Sequence, residues 1–241
     1  MIDLCRELER KERRKAVPGG WPRLWNLPRG WLHQGFLYQD RTQQVARALL
    51  EIGPTCLCAW AFSALFDVSL HGATVWVYAM LVSHSLNWVF NHNWWAEMLF
   101  TFPSLRNPGP QKTALYLKDL ADRLSRSRSI SGVLLFGSLS RGAWHDRSDL
   151  DMRILRRPGI LNGVRAVCAM MRERFLALLA HQPLDVYLAD DVVFLEKMRQ
   201  DETPVFLVKR DERLERRYPG IPARDVRGDD LGGRSEPDVG S

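Results

Sequence analysis

Two neighbouring stretches decide the fold: Leu134-Leu135-Phe136-Gly137-Ser138-Leu139-Ser140-Arg141-Gly142 and Ser148-Asp149-Leu150-Asp151-Met152-Arg153. Residues 133–136 form a short apolar run, the pattern of a buried strand, and Gly137-Ser138 closes it. Residues 150–155 alternate as a second strand. Glycine at 137 allows a tight turn, after which Ser138 and the following N–H groups can form a phosphate-binding nest at the start of a helix. On an extended chain Asp149 and Asp151 point to the same face. Two carboxylates there raise each other's pKa unless a cation lies between them. An oxygen-only ligand set favours Mg2+, a hard ion that keeps waters and shares its shell with phosphates.

A phosphate cradle followed by a metal-binding carboxylate pair is what nucleotidyl transfer needs. Gly137-Ser138, a spacer with Arg141-Gly142, and then Ser148-Asp149-x-Asp151 resemble the DNA polymerase β-like nucleotidyltransferase superfamily. The resemblance covers about residues 112–190. It implies a small mixed sheet, two Mg2+ ions and a third carboxylate on a neighbouring strand. Asp185, in Pro183-Leu184-Asp185-Val186-Tyr187-Leu188, matches that third role. The resemblance thus implies Asp149, Asp151 and Asp185 as catalytic metal ligands, Gly137, Ser138 and Arg141 as nucleotide-binding residues, and an NTP substrate, with ATP the expected donor. Arg153 departs from the family's usual apolar residue and shares the carboxylates' face. It can pair with a carboxylate, replacing part of one metal's charge, or reach the triphosphate. His145, Asp146, Asp190 and Asp191 read as loop charges.

Outward from the motif, residues 111–210 read as a nucleotidyltransferase domain of α/β class. Helical periodicity covers 112–126 and 161–179, further strands 184–188 and 205–208, and a helical turn 192–198. Residues 211–241, rich in Arg, Asp, Gly and Pro without periodicity, read as a disordered tail.

The N-terminal part has different chemistry. Residues 1–44 are basic and rich in Trp and Pro, and the first fifty residues carry ten Lys and Arg. Residues 52–66 and 68–96 contain no Asp, Glu, Lys or Arg. A bilayer-spanning helix takes about 20 mostly apolar residues, which the second stretch supplies and the first approaches. Residues 45–100 therefore read as a two-helix transmembrane hairpin preceding the small mixed β-sheet core. A flat or re-entrant interfacial hairpin and burial in a soluble fold are the alternatives. Basic residues flank both ends and the turn at 67–72 has none, so a multi-pass membrane protein with the catalytic domain and both termini cytosolic is expected. Trp94 and Trp95 fall where an aromatic belt belongs. His84, Asn87, Asn91 and Trp95 form a polar stripe, expected to pack by hydrogen bonds against the first helix or a second protomer. The N-terminus lacks the apolar core of a cleavable signal peptide.

Composition bounds the rest. The 241 residues are 46% apolar and 26% charged with net charge +6, which excludes a wholly disordered or collagen-like chain. The four cysteines have neither zinc-ligand spacing nor the density of a disulfide framework. Expected partners are a nucleotide and membrane lipid, with a homo-oligomer or partner protein able to complete the acceptor site. Nucleic acid is not expected. The leading functional expectation is a membrane-anchored, Mg2+-dependent transferase acting on a lipid-linked, glycan-related or membrane-protein hydroxyl. The alternatives are a minimal adenylyltransferase modifying a partner protein, as antitoxin-like relatives do, and a non-catalytic nucleotide-binding membrane adaptor.

Overall fold

A computed structural model describes residues 26–33, 39–66, 69, 72–197 and 202–224. The expectations for residues 1–25, for most of the turn at 67–72 and for 225–241 lie outside the described residues. The rest is mixed α/β, in the order α1 (Asn26–His33), α2 (Arg41–Phe66), α3 (Ala73–Asn91), α4 (Trp94–Thr101), α5 (Pro110–Ser125), β1 (Ile130–Phe136), β2 (Leu150–Arg156), α6 (Ile160–Leu179), β3 (Leu184–Ala189), a 3-10 turn (Val192–Lys197), β4 (Val205–Lys209) and α7 (Glu212–Arg217).

The four strands form one sheet in the order β3-β2-β1-β4. β2 runs parallel to β3 and antiparallel to β1, which also pairs antiparallel with β4. Because strand side chains alternate, each strand serves two faces. Val133, Leu135, Met152, Ile154, Val186 and Leu188 face α5 and α6 and pack on Leu117, Leu120 and Met170. Leu134, Phe136, Leu155 and Phe206 face the other way, onto Phe194, Leu195 and Leu214. The apolar runs at 133–136, 150–155 and 184–188 are therefore strands, as their pattern indicates. The C-terminal segment departs from expectation. Asp211 caps α7 by accepting from the Arg213 N–H at 2.9 Å, and Ala223 bridges to Phe206, so order reaches at least Arg224.

β3 is an edge strand, and an open edge is a template for unwanted pairing. The N-terminal helices cover it. The N–H groups of Val186, Leu188 and Asp190 donate to Asn93 Oδ1, Gln43 Oε1 and Asp40 Oδ2 at 3.2, 2.8 and 2.8 Å. Alternate N–H groups from Val186 to Asp190 are thus answered by side chains from the start of α4 and the start of α2. Arg174 closes the same seam, donating to Asn91 O at 2.6 Å, Asn91 Oδ1 at 3.0 Å and Val186 O at 2.6 Å.

α2 and α3 pack along one another in opposite directions, with Ala59, Val75 and Ala79 at their contact. Glu51 ties their other end, taking Asn87 Nδ2 on Oε2 and His84 Nδ1 on Oε1, both at 2.8 Å. His84 Nε2 donates to Trp31 O at 2.7 Å. The polar stripe is therefore spent on packing, as expected, against the first helix and against the domain. Trp95 Nε1 donates to Leu178 O at 2.8 Å, so this indole belongs to the domain and not to an aromatic belt.

Among the described residues, α2 is the one helix long and apolar enough to cross a membrane. Sequence reading favoured the second stretch. That stretch is instead divided, because α3 ends at Asn91 and α4 begins at Trp94, and α3 carries the His84-Asn87-Asn91 stripe. α2 is divided between a buried and an exposed face, and Val45, Leu49 and Ile52 are as exposed as the apolar residues further along. Gln43 and Arg47 are buried against the domain, whereas Leu57, Trp60 and Phe66 are 64%, 62% and 68% exposed. Pro54 lies inside the helix, where its ring removes one helical hydrogen bond.

Candidate active site

Asp151 is the second residue of β2 and Asp185 the second of β3, and the parallel register sets them directly opposite. Both lie on the Leu155–Ala189 face, away from α5 and α6. Asp151 also pairs in register with Phe136, the last residue of β1, so Gly137 turns immediately beside its carboxylate. Gly137 has φ +83°, and a Cβ there would collide with Asp151 Oδ2. Glycine is required at 137 on both counts.

The sequence-derived site residues divide unevenly. Asp151 and Asp185 are brought together with Gly137, whereas Asp149 precedes the ladder, since β2 begins at Leu150. Among the described residues no three His, Cys, Asp or Glu side chains gather closely enough to hold a metal ion. The donor set of the pair nevertheless fits a hard cation. Asp151 is half-buried, and its carboxylate has no hydrogen-bond or ion-pair partner among the described residues. Carboxylate oxygens on neighbouring strands are the donors that a hard cation such as Mg2+ takes.

Residues 137–142 form consecutive turns and not the start of a helix. Ser138 Oγ is buried without a hydrogen-bond partner, and Ala143 N–H donates to Ser138 O at 2.9 Å. Arg141 NH1 donates to Glu202 Oε1 at 3.0 Å, an ion pair with a carboxylate that is 4% exposed. Ser140 Oγ donates to the same oxygen at 2.5 Å, and so does the Gly137 N–H. The expected nucleotide-binding turn thus converges its donors on an acid 61 residues or more further along the chain.

Arg153 lies on the site face, in register with Tyr187. Its NH1 donates to Met152 O at 2.8 Å and Asp185 O at 3.5 Å, and the guanidinium stacks 4.8 Å from the Tyr187 ring centre. It therefore binds backbone and ring, and none of its contacts among the described residues is an ion pair with Asp151 or Asp185.

Sequence reasoning missed three further residues. Asn93, 5% exposed, uses both ends of its amide: Oδ1 accepts from Val186 N–H and Nδ2 donates to Asp185 Oδ1. One turn on, Glu97 packs against Gly30, where a methyl group would stand 3.0 Å from its Oε1. Burial, and behind it the negative charge of Asp185, push Glu97 up to about 7, against the pull of Arg29. Asn93 continues the polar run from His84, and Glu97 is the first charge after residue 67, both of which are signals in the sequence. Glu202, the third, carries no such mark. Asp190, read as a loop charge, is also structural. It accepts from Arg156 Nε at 2.6 Å and from the Thr42 N–H at 2.9 Å, joining α2 to the end of β3.

No family model matches this chain, and no curated protein matches it.

Proposed function

We propose that this chain is a membrane-associated nucleotidyltransferase that moves a nucleoside monophosphate from an NTP to a hydroxyl acceptor at a lipid surface. The observation that carries the reading is the register of Asp151 with Asp185 beside the Gly137 turn, with the Asp151 carboxylate unanswered. Asp151 and Asp185 would hold Mg2+, which when bound neutralises polyphosphate and lowers the pKa of an attacking hydroxyl. In the transfer the acceptor oxygen bonds to the α-phosphorus, the bond to the bridging oxygen breaks, and pyrophosphate leaves. Asp185, oriented by Asn93, is placed to take the hydroxyl proton. Ser138, Arg141 and the backbone of the turn are the groups available to the leaving phosphates.

The exposed length of the helix pair supports the lipid surface. Leu57, Trp60, Phe66, Val77, Tyr78 and Met80 form an apolar patch of a kind that soluble monomers rarely leave uncovered. On α2 the exposed apolar side chains run from Val45 through Leu49 and Ile52 to Phe66. Gln43 ties the start of α2 to β3, so the domain is held close to the surface that the exposed face of α2 meets. Basic residues on both flanks favour a cytosolic position for the domain.

The test is pyrophosphate release from each NTP by the full chain, with Mg2+ and a membrane extract. Release that needs Mg2+ and is lost in Asp151→Asn is expected. Absence of release with all four NTPs, or full activity in Asp151→Asn, overturns the assignment.

A further inference from the structure

We propose that Glu202 stands in for a phosphate in the Gly137–Arg141 turn, and that polyphosphate binds there by displacing it. The inference rests on the nucleotidyltransferase reading and adds how the site is regulated.

The register puts Glu202 in the turn. β4 runs antiparallel to β1 with Val205 opposite Leu135, so the residues before Val205 pass beside those after Phe136. One oxygen, Glu202 Oε1, accepts from the Gly137 N–H, from Ser140 Oγ at 2.5 Å and from Arg141 NH1 at 3.0 Å. A backbone amide, a hydroxyl and a guanidinium around one anionic oxygen are the donors that receive a phosphoryl oxygen. Ser138 Oγ, buried and unpartnered, is a further donor in the same turn.

Glu202 is also the wrong group for a permanent occupant. The turn abuts Asp151, so the buried acid adds a negative charge beside an unanswered carboxylate. Its removal would free three donors for an incoming phosphate and lessen the repulsion that phosphate meets. While Glu202 holds the turn, the apparent affinity for polyphosphate is the intrinsic one multiplied by the fraction of molecules in which the turn is vacant. A turn vacant in one molecule in ten weakens binding about tenfold.

The probes are inorganic tripolyphosphate and the four NTPs, titrated calorimetrically into the full chain and into Glu202→Ala and Glu202→Gln. Glu202→Ala should bind tripolyphosphate at least about tenfold more tightly than the parent. Adding Arg141→Gln should remove most of that gain. Glu202→Gln keeps the acceptor oxygen and the packing but removes the charge, so it carries the test if the alanine variant melts early. It too should gain affinity. A parent that binds tripolyphosphate as tightly as both variants overturns the displacement and leaves the proposed function standing. No binding of tripolyphosphate or of any NTP by all three proteins overturns both.

Discussion

The two ends of the α2–α3 pair are built for different surroundings. At the base, Glu51 gathers His84 and Asn87, Asn91 receives Arg174, and Gln43 completes the edge of β3, so polar groups withdrawn from water are bonded to one another. Toward the tip the contact is made by Ala59, Val75 and Ala79 with Cys58 and Phe62, while Leu57, Trp60 and Phe66 are largely exposed. Helix propensity does not distinguish these lengths, since both are helical. The difference lies in what each side chain would exchange for water. The base is continuous with the candidate active site through Asn93 and Asp185.

If the tip is made for lipid, charging it should abolish membrane attachment and spare the fold. Burying one large apolar side chain is worth about 1.5–3 kcal/mol, so losing three costs at least about 4.5 kcal/mol, or about 10³-fold in binding. The triple variant Leu57→Asp, Trp60→Asp, Phe66→Asp should stop co-floating with vesicles of anionic lipid. Its unfolding temperature in solution should hardly change, because exposed positions contribute little to stability. A variant that still floats would break the comparison at its outer end.

The base should behave in the opposite way. Asn93→Ala leaves the tip intact but removes the amide that holds Asp185 to the backbone of β3. Loss of such a partner behind a metal ligand typically costs about 10–100-fold in metal affinity or activity. Transfer should fall by that factor while vesicle binding stays at the parent level. Glu51→Ala is expected to act on stability alone. It removes the acceptor of His84 Nδ1 and of Asn87 Nδ2, and unanswered buried groups cost about 1–3 kcal/mol, measurable by denaturant unfolding. Unchanged stability would mean that the polar gathering around Glu51 is incidental.

The junction of α2 with β3 supplies a pH test. Burial alone would raise Asp190, but the hydrogen bonds from Thr42 and Arg156 outweigh it and hold the carboxyl below its ordinary value. A depressed carboxyl contributes stability that is complete above the ordinary carboxylate range and is lost as pH falls through the folded value. Asp190→Asn should therefore be less stable than the parent at neutral pH, with the gap closing on acidification. A gap that stays constant with pH would assign Asp190 a packing role only.

The sheet was legible because its strands are short apolar runs bounded by Gly, Pro and Asp, and because Gly137-Ser138 and Asp149-x-Asp151 sit at strand ends. The partners of those residues were not legible. Glu202 meets Gly137 across 65 positions, and Gln43 meets Leu188 across 145. Such meetings are set by which strand lies beside which, and local patterns carry no record of it. The charge-free stretch 68–96 misled for a related reason. Absence of charge suits lipid, but it also suits a helix whose Asn and His side chains are satisfied by a neighbour. α7 was hidden because its capping depends on Asp211 and Arg213, which read as one more charged pair.

The smallest effect expected is at Arg47, a buried charge within the base. It is 6% exposed, yet neither terminal guanidinium nitrogen has a hydrogen-bond partner among the described residues. Its i+4 neighbour Glu51 is engaged by His84 and Asn87. A buried cation without a bonded partner carries its desolvation cost uncompensated, and apolar replacement of buried charges is often neutral or stabilising. Methionine matches the length of the arginine stem and keeps its contacts with the domain. Arg47→Met should therefore leave unfolding free energy unchanged or raise it by about 1 kcal/mol, with transfer unaffected. A loss of more than about 1 kcal/mol would show that the Arg47 charge is answered at the base and that an apolar side chain does not replace it.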